Sequence, residues 1–364
     1  MSSSVRRTSA ISRRTFGKAA LGAAGAAVVT SSPTYAAPYL NFNRQAGELN
    51  VMYLYVPFME SIIPKFEEET GIAVNTVSTY QSNDEWWAKI NAGERADFLI
   101  ASTDWVQRAM AADLLGPIDT SKLSNLETLQ EEFQANEVYI ADGESHAIPW
   151  TRVYYSLIYN TNEFSEAPTS WDVTWNEAYS GRISVMDQAF ARVATTALYL
   201  GQDPLNPDDP DAIREALIEQ KPLITKYWQD FQNGMEIFMN EEAVVGQLTA
   251  GRTRMAISQD APVSWTVPEE GCVTFIDTFI IPKDAENVDE AHQLIDFLIR
   301  PDIMVEEMTM MYYDTLSAEA HDQLPEDIRP WFELPEDANL VLSVDLPSEV
   351  RQMMDQMWEE VKLS

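Results

Sequence analysis

The sequence predicts an α/β protein of two lobes, and three observations lead there. The chain has 364 residues, more than one small core accommodates, so two domains of ordinary size are expected. From residue 49 onward, strand and helix patterns alternate at the spacing of a parallel sheet with helical crossovers. Late in the chain, Gly271 to Lys283 (Gly-Cys-Val-Thr-Phe-Ile-Asp-Thr-Phe-Ile-Ile-Pro-Lys) reads as one strand closed by Pro282. It is rich in β-branched and aromatic residues and is expected to cross back to the first lobe. Its single acid, Asp277, stands among apolar neighbours. A buried carboxylate needs a partner, so Asp277 is either a charge on an edge strand's solvent face or the acceptor of a cationic ligand, with Phe275 beside it.

The elements follow in order. Leu49 to Tyr55 is the first strand, turned by Pro57 and Phe58. Met59 to Thr70 is a helix with Ile62, Ile63 and Phe66 on one side, and Gly71 supplies its C-terminal cap. Ile72 to Val77 is a strand, Asn83 to Ile90 a helix, and Ala96 to Ala101 a third strand. Ser102-Thr103-Asp104-Trp105 then opens a helix with a capping-type turn. Ligands in such sheets sit at the carboxyl ends of strands, which puts Tyr53, Tyr55, Ser102, Thr103 and Asp104 on one rim. Ser145 to Pro149 reads as a short strand and Trp150 to Asn160 as a longer one that begins the second lobe. Ser170-Trp171 and Trp175 mark a helix. Gly181 to Asp187 is a strand ending in an acid, with a helix from Phe190 to Leu200 behind it. The pattern predicts helix over Ile213 to Phe231, a short helix over Val244 to Gly251, and a strand over Arg254 to Ser258 before Gln259-Asp260. Val288 to Leu298 and Ser348 to Lys362 are helical, and the Pro/Glu/Asp-rich run Leu324 to Asp337 is a surface connection.

Composition excludes several functions. A content of 45% hydrophobic and 10% aromatic residues belongs to a folded chain. The net charge of −34 excludes nucleic acid as a partner, because phosphate binding needs basic patches. The same charge attracts cations without locating a site. Cys272 is the only cysteine, so no internal disulfide forms. His146, His292 and His321 lack metal-ligand spacing. The chain has no Gly-x-Ser-x-Gly, no glycine-rich phosphate loop and no metal-spaced histidine pair. No catalytic residue, metal or cofactor is therefore expected. Glu68-Glu69 and Glu306-Glu307 read as solvated helix faces, and Met304, Met308, Met310 and Met311 as core filling.

Residues 1–36 read as an export signal. Arg13-Arg14 precede an Ala/Gly-rich apolar run, Ala19 to Val29, too short to span a bilayer well. Thr34-Tyr35-Ala36 offers a cleavage site before Ala37. The arginine pair in this setting is that of a twin-arginine signal, which implies export in the folded state to the periplasm. Removing Arg6, Arg7, Arg13, Arg14 and Lys18 makes the mature chain more acidic still.

Several phrases, in this order over nearly the whole mature chain, resemble the periplasmic spermidine/putrescine-binding proteins of ABC importers. They are Phe66-Glu67-Glu68-Glu69-Thr70-Gly71-Ile72, Tyr80-Gln81-Ser82-Asn83-Asp84-Glu85, Ile100-Ala101-Ser102-Thr103-Asp104-Trp105, and Ile118-Asp119-Thr120-Ser121-Lys122-Leu123. Further on come Thr169-Ser170-Trp171-Asp172 with Tyr179-Ser180-Gly181-Arg182, and Asp277-Thr278-Phe279-Ile280-Ile281-Pro282-Lys283 with Ile295-Asp296-Phe297-Leu298. The resemblance implies a type II periplasmic binding protein, two α/β lobes on crossing strands that close like a hinge. It implies lobes of residues 47–150 with 279–316, and 151–278 with 317–364. The family pocket holds a linear amine between aromatic faces and carboxylates, using cation–π attraction and ionised partners.

Carried over residue by residue, Asp277 and Asp187 match family acids, Tyr313 a pocket tyrosine, and Ser102 and Thr103 a Ser-Thr pair. Phe275 replaces a stacking tryptophan. Departures are Tyr53-Leu54 for an Asn-Trp pair, Pro57 and Asp104 for tyrosines, Ala191 for an acid, and Ser258 for a second tryptophan. Arg152 stands where the family has an apolar or aromatic residue. Asp104 and Asp260 are new acids that restore cation binding. Arg152 either pairs with Asp104 or Asp187 or anchors a ligand carboxylate, and Arg192 either anchors a carboxylate too or, as is commoner for a helix arginine, faces solvent. The expected function is capture of a polyamine or related organic amine by a monomeric receptor that delivers it to a permease in the inner membrane. The alternatives are a zwitterionic amino compound held by Arg152, a ferric ion taken by Tyr312-Tyr313 and Tyr154-Tyr155, and an exported enzyme.

Overall fold

The computed structural model describes residues 48–364, apart from Ala135 and Glu336. The export signal read over residues 1–36 lies outside these. The described residues, from 48 to 364, form one compact unit.

The first half alternates as expected: β1 (Glu48–Tyr53), α1 (Val56–Thr70), β2 (Ala73–Thr79), α2 (Asn83–Asn91), β3 (Leu99–Ser102) and α3 (Thr103–Ala111). Helix α1 begins three residues before the sequence suggests, because Pro57 sits in its first turn, where a missing N–H costs nothing. Gly71 ends it at φ 73°, and its N–H returns to the Glu67 carbonyl. Strands β1 and β2 pair in parallel, and Val51 bridges Phe98 in the same sense. Phe58, Ile62, Ile63 and Phe66 bury the inner face of α1.

A short helix, α4 (Glu131–Gln134), and the small ladder β4 (Ile140–Ala141) with β5 (Glu144–Ser145) lead to β6 (Ile148–Asn160). The two strands read at Ser145–Pro149 and Trp150–Asn160 are in fact one 13-residue strand from Ile148. Proline 149 falls where the β6–β11 register shifts, a position that tolerates the lost donor.

The second half holds β7 (Ile183–Met186), α5 (Ala189–Tyr199), α6 (Pro210–Gln220), β8 (Ile224–Trp228), α7 (Phe231–Met239), β9 (Val245–Thr249), α8 (Ala250–Ile257) and β10 (Val263–Thr266). Here the sequence reading fails in three places. The helix expected over Ile213–Phe231 stops at Gln220, Pro222 breaks it, and β8 follows, paired in parallel to β7. The helix expected over Val244–Gly251 is strand β9, and the strand expected at Arg254–Ser258 belongs to α8. The segments that form β8, β9 and α8 are short, mixed apolar runs that carry either period, and pairing to β6 and β7 selects the two strands among them. The residues expected to begin a helix at Trp171 and Trp175 form a single 3-10 turn.

The chain then returns through β11 (Cys272–Ile280), α9 (Val288–Leu298), α10 (Pro301–Met311), β12 (Asp314–Thr315), α11 (Ala318–Gln323), β13 (Leu340–Leu342) and α12 (Ser348–Leu363). Strands β6 and β11 join both halves. Near Thr151 and Asp277 they pair with each other, β11 also pairs with β3, and β12 joins β6. At the other end β6 carries β9 and β10, while β11 carries β13. Ala320, Leu324 and Phe332 pack into the core cluster of Phe58 and Ile62, whereas α12 packs with α5 and α6.

Candidate functional site

The carboxyl ends of β1 and β3 meet the middle of β11, and the candidate residues gather there. Asp277 faces Ser102 across the β3–β11 ladder and Thr151 across the β6–β11 ladder. Its side chain is almost wholly buried, 3% exposed. Burial pushes its carboxyl up to about 7; a hydrogen bond from Tyr55 opposes this and the nearby Asp104 adds to it. The Tyr55 hydroxyl donates to Asp277 Oδ2. Tyr55 caps α1 at φ 62°, a left-handed conformation that costs a non-glycine residue about 1–2 kcal/mol. Strain of this kind clusters at functional sites, and here it aims a phenol at a buried acid. The Tyr55 ring meets Trp150 and Tyr313 edge-on, at 5.4 and 5.5 Å between centroids. Phe275 lies 5.7 Å from the Tyr155 ring.

Ser102 Oγ donates to Asp104 Oδ1 at 2.7 Å and accepts from Asn83 Nδ2 at 3.0 Å. Thr103 Oγ1 reaches the Ile276 carbonyl at 3.1 Å, which locks α3 to β11. Asp104, raised by burial, also lines a groove of about 320 Å³ with Asp84, Trp105, Arg108, Phe190 and Arg351. This groove runs between the α2–α3 side and the α5–α12 side.

Tyr313 is buried because its ring lies against Gly251. A Cβ on Gly251 would stand 2.5 Å from that ring, so the opening of α8 needs glycine to admit the tyrosine. Gly251→Ala is expected to displace Tyr313 and weaken ligand binding at least about tenfold, or ~1.4 kcal/mol, as read by calorimetric titration. Unaltered affinity in the variant would remove Tyr313 from the site.

Five expectations change. Asp187 stands at the end of β7, but its carboxylate accepts from Trp358 Nε1 at 2.8 Å and Gln229 Nε2 at 3.1 Å. It is turned onto α12, and the next residue, Gln188, lines the groove instead. Asp260 is exposed in the turn after α8. The adjoining Val263 pairs with Asn160, nine residues and roughly 30 Å along β6 from Thr151, so Asp260 does not reach Asp277. Arg152 pairs with neither Asp104 nor Asp187. It donates from Nε and one Nη to Asp314 Oδ2, at 3.3 and 3.0 Å, with Tyr154 on the same oxygen at 2.8 Å. Arg192, expected either to anchor a carboxylate or to face solvent, is buried and donates to Gln220. The tyrosine pairs also diverge, since Tyr154 joins the Asp314 network while Tyr155 faces Phe275.

The sequence reading missed a buried network behind the site. Asp314 collects Arg152, Tyr154 and, at 2.8 Å, His321. Burial raises its carboxyl, but the His321 hydrogen bond and the cations Arg152 and Arg254 outweigh that and hold it well below the usual range. Arg254, fully buried, donates to the Trp331 and Tyr312 carbonyls and to Tyr154, and lies over the Trp265 and Phe332 rings. Glu307, read as solvated, is fully buried. The spacing of Ile303, Met304, Met308 and Met311 around it was the available signal, since Glu307 completes that stripe.

Two α/β halves strung on the shared strands β6 and β11 define a two-lobed periplasmic binding protein fold of type II. The chain belongs to the bacterial extracellular solute-binding proteins, whose family model matches residues 61–328. Among its relatives, spermidine/putrescine-binding periplasmic protein 1 of Haemophilus influenzae is 31% identical over 281 residues, 75% of this chain and 76% of that one. The putrescine-binding periplasmic protein SpuD of Pseudomonas aeruginosa is 28% identical over 346 residues, 87% of this chain and 93% of its own length. The solved structure of the spermidine/putrescine ABC transporter substrate-binding protein PotD from Streptococcus pneumoniae superposes with a TM-score of 0.79. That match has 22% identity and covers 87% of this chain and 99% of the other.

Proposed function

We propose that this chain is the substrate-binding receptor of an ABC importer and captures a polyamine or related organic amine between its lobes. The observation that carries the reading is Asp277, a buried carboxyl at the junction of β1, β3 and β11, with Tyr55 bonded to it and Tyr313 and Phe275 nearby. A cation entering there gains an ionised partner and aromatic faces. The names of the relatives support the same ligand class. The lobes comprise residues 47–150 with 279–316 and 151–278 with 317–364, with α11 packed against the first. The receptor acts as a monomer without catalysis or a cofactor, and passes its ligand to an inner-membrane permease. Among the described residues no helix is long and apolar enough to cross a membrane, and we assign the protein to the periplasm by way of the twin-arginine signal at residues 1–36.

Isothermal titration with putrescine, spermidine and several zwitterionic amino compounds, at two salt concentrations, tests this reading. Tight binding of a polyamine is the expected result. Heat from a zwitterion alone would overturn the polyamine assignment, and Arg152 is poorly placed to favour that outcome because Asp314 already occupies it.

A further inference from the structure

Helix α10 carries two adjacent glutamates with opposite fates. Glu306 faces solvent and pairs with Lys65. Glu307 is fully buried in the stripe of Ile303, Met304, Met308 and Met311, where an apolar residue would finish the core. Among the described residues its Oε2 has no hydrogen-bond partner. Its Oε1 lies 3.4 Å from Thr151 Oγ1, but the single proton of that hydroxyl goes to the Asp314 carbonyl at 2.7 Å. The carboxyl is therefore left almost without support, and burying an unsupported carboxyl is expensive. Thr151 is also the residue opposite Asp277 in the β6–β11 ladder, and such pairs hold their Cβ atoms about 5 Å apart. Thr151 thus stands between two buried acids, one bonded to Tyr55 and one with a free oxygen.

We propose that Glu307 is a second carboxyl of the ligand site, which with Asp277 holds a primary ammonium head. This rests on the reading of Asp277 as the ammonium acceptor. The chemistry favours a primary ammonium because it carries three N–H donors on a small head, enough for both carboxylates and one further oxygen. A trimethylammonium carries none. In the empty site burial favours the neutral form of both acids, Asp277 being pushed up to about 7 and Glu307 well above the usual carboxylate range. Tyr55, Tyr313, Tyr80, Tyr139, Tyr155, Asp104 and Glu307 lie within electrostatic reach of Asp277, and Asp314, Asp277, Arg254 and Tyr55 within reach of Glu307. As the ammonium enters, each neutral carboxyl gives its proton to solvent, and the two carboxylates take two of the N–H donors. Capture is then coupled to proton release.

The test is titration of putrescine, and of its counterpart trimethylated at both nitrogens, into the exported chain at pH 6. Two buffers of different ionisation enthalpy count the protons released. Wild type is expected to release between one and two protons per ligand and to bind the methylated compound at least 100-fold more weakly. Glu307→Gln is expected to release about one proton fewer and to bind putrescine at least tenfold more weakly. Glu307→Met, which completes the apolar stripe, folds at least as stably by thermal melting and shows the same losses. Variants that bind and release protons like wild type would overturn the role of Glu307 alone. Wild type that binds no amine at all would overturn the receptor reading and this inference together.

Discussion

Asp277→Asn is expected to remove most of the ligand affinity while leaving the fold intact. Asparagine keeps the shape and still accepts the Tyr55 hydrogen bond, but it cannot ionise. Truncating one partner of a buried charge pair costs about 2–5 kcal/mol, a loss of roughly 30-fold or more in Kd. The pH dependence supplies a second readout. The Asp277 carboxyl, pushed up to about 7, is neutral in the empty site below that pH, so a cation must displace its proton. Proton displacement from Asp277 is expected to lower affinity by up to about tenfold per pH unit below 7, and Asp277→Asn loses that contribution, leaving only the part that Glu307 adds. Stability of the empty protein runs the other way. A carboxyl that holds its proton more tightly folded than unfolded favours the folded state at low pH. That contribution declines as pH rises from the ordinary carboxylate range towards 7. Calorimetric titration at pH 6 and 8, with melting curves of both proteins, checks each sign. Equal affinity in the variant would remove Asp277 from the site.

The largest effect on stability is expected from Arg254→Ala. Arg254 holds the Trp331 carbonyl at 2.8 Å, the Tyr312 carbonyl at 3.1 Å and the Tyr154 hydroxyl at 2.9 Å. Its guanidinium fills the space between Trp265 and Phe332, at 4.6 and 4.3 Å from their ring centroids. Alanine takes its donor from the Tyr312 carbonyl, leaves the Trp331 carbonyl with Trp265 Nε1 alone at 3.2 Å, opens a cavity between the rings, and removes a cation from the surroundings of Asp314. Breaking a buried charged network of this kind costs about 3–5 kcal/mol, so Tm should fall by on the order of 10 °C. Arg254→Lys should not restore it, because an ammonium on a flexible stem cannot serve three fixed acceptors in one plane. A loss below about 1 kcal/mol in denaturant titration would show that the network is not a support of the fold.

These residues also show where sequence reasoning reaches. Periodicity and turn chemistry located β1, α1, β2, α2, β3, α3, α9 and α12, because each has a local pattern of one period and its own stop signal. The strand around Asp277 was legible for the same reason. Helix α8 and strands β8 and β9 were not, because short runs of mixed apolar residues fit either period until partners on β6 and β7 choose.

The amino-acid sequence by itself determined the class of protein, two α/β lobes with an acid on the crossing strand. Local patterning and composition suffice for that. Only the tertiary structure decided which charged side chains gather at the candidate site and which are paired elsewhere. Asp187 and Arg152 are spent on Trp358 and Asp314. Glu307, which looks like a surface charge beside Glu306, is folded inward against Thr151. A charged side chain's partner is set by contacts over a hundred residues away, and no local signal encodes that pairing.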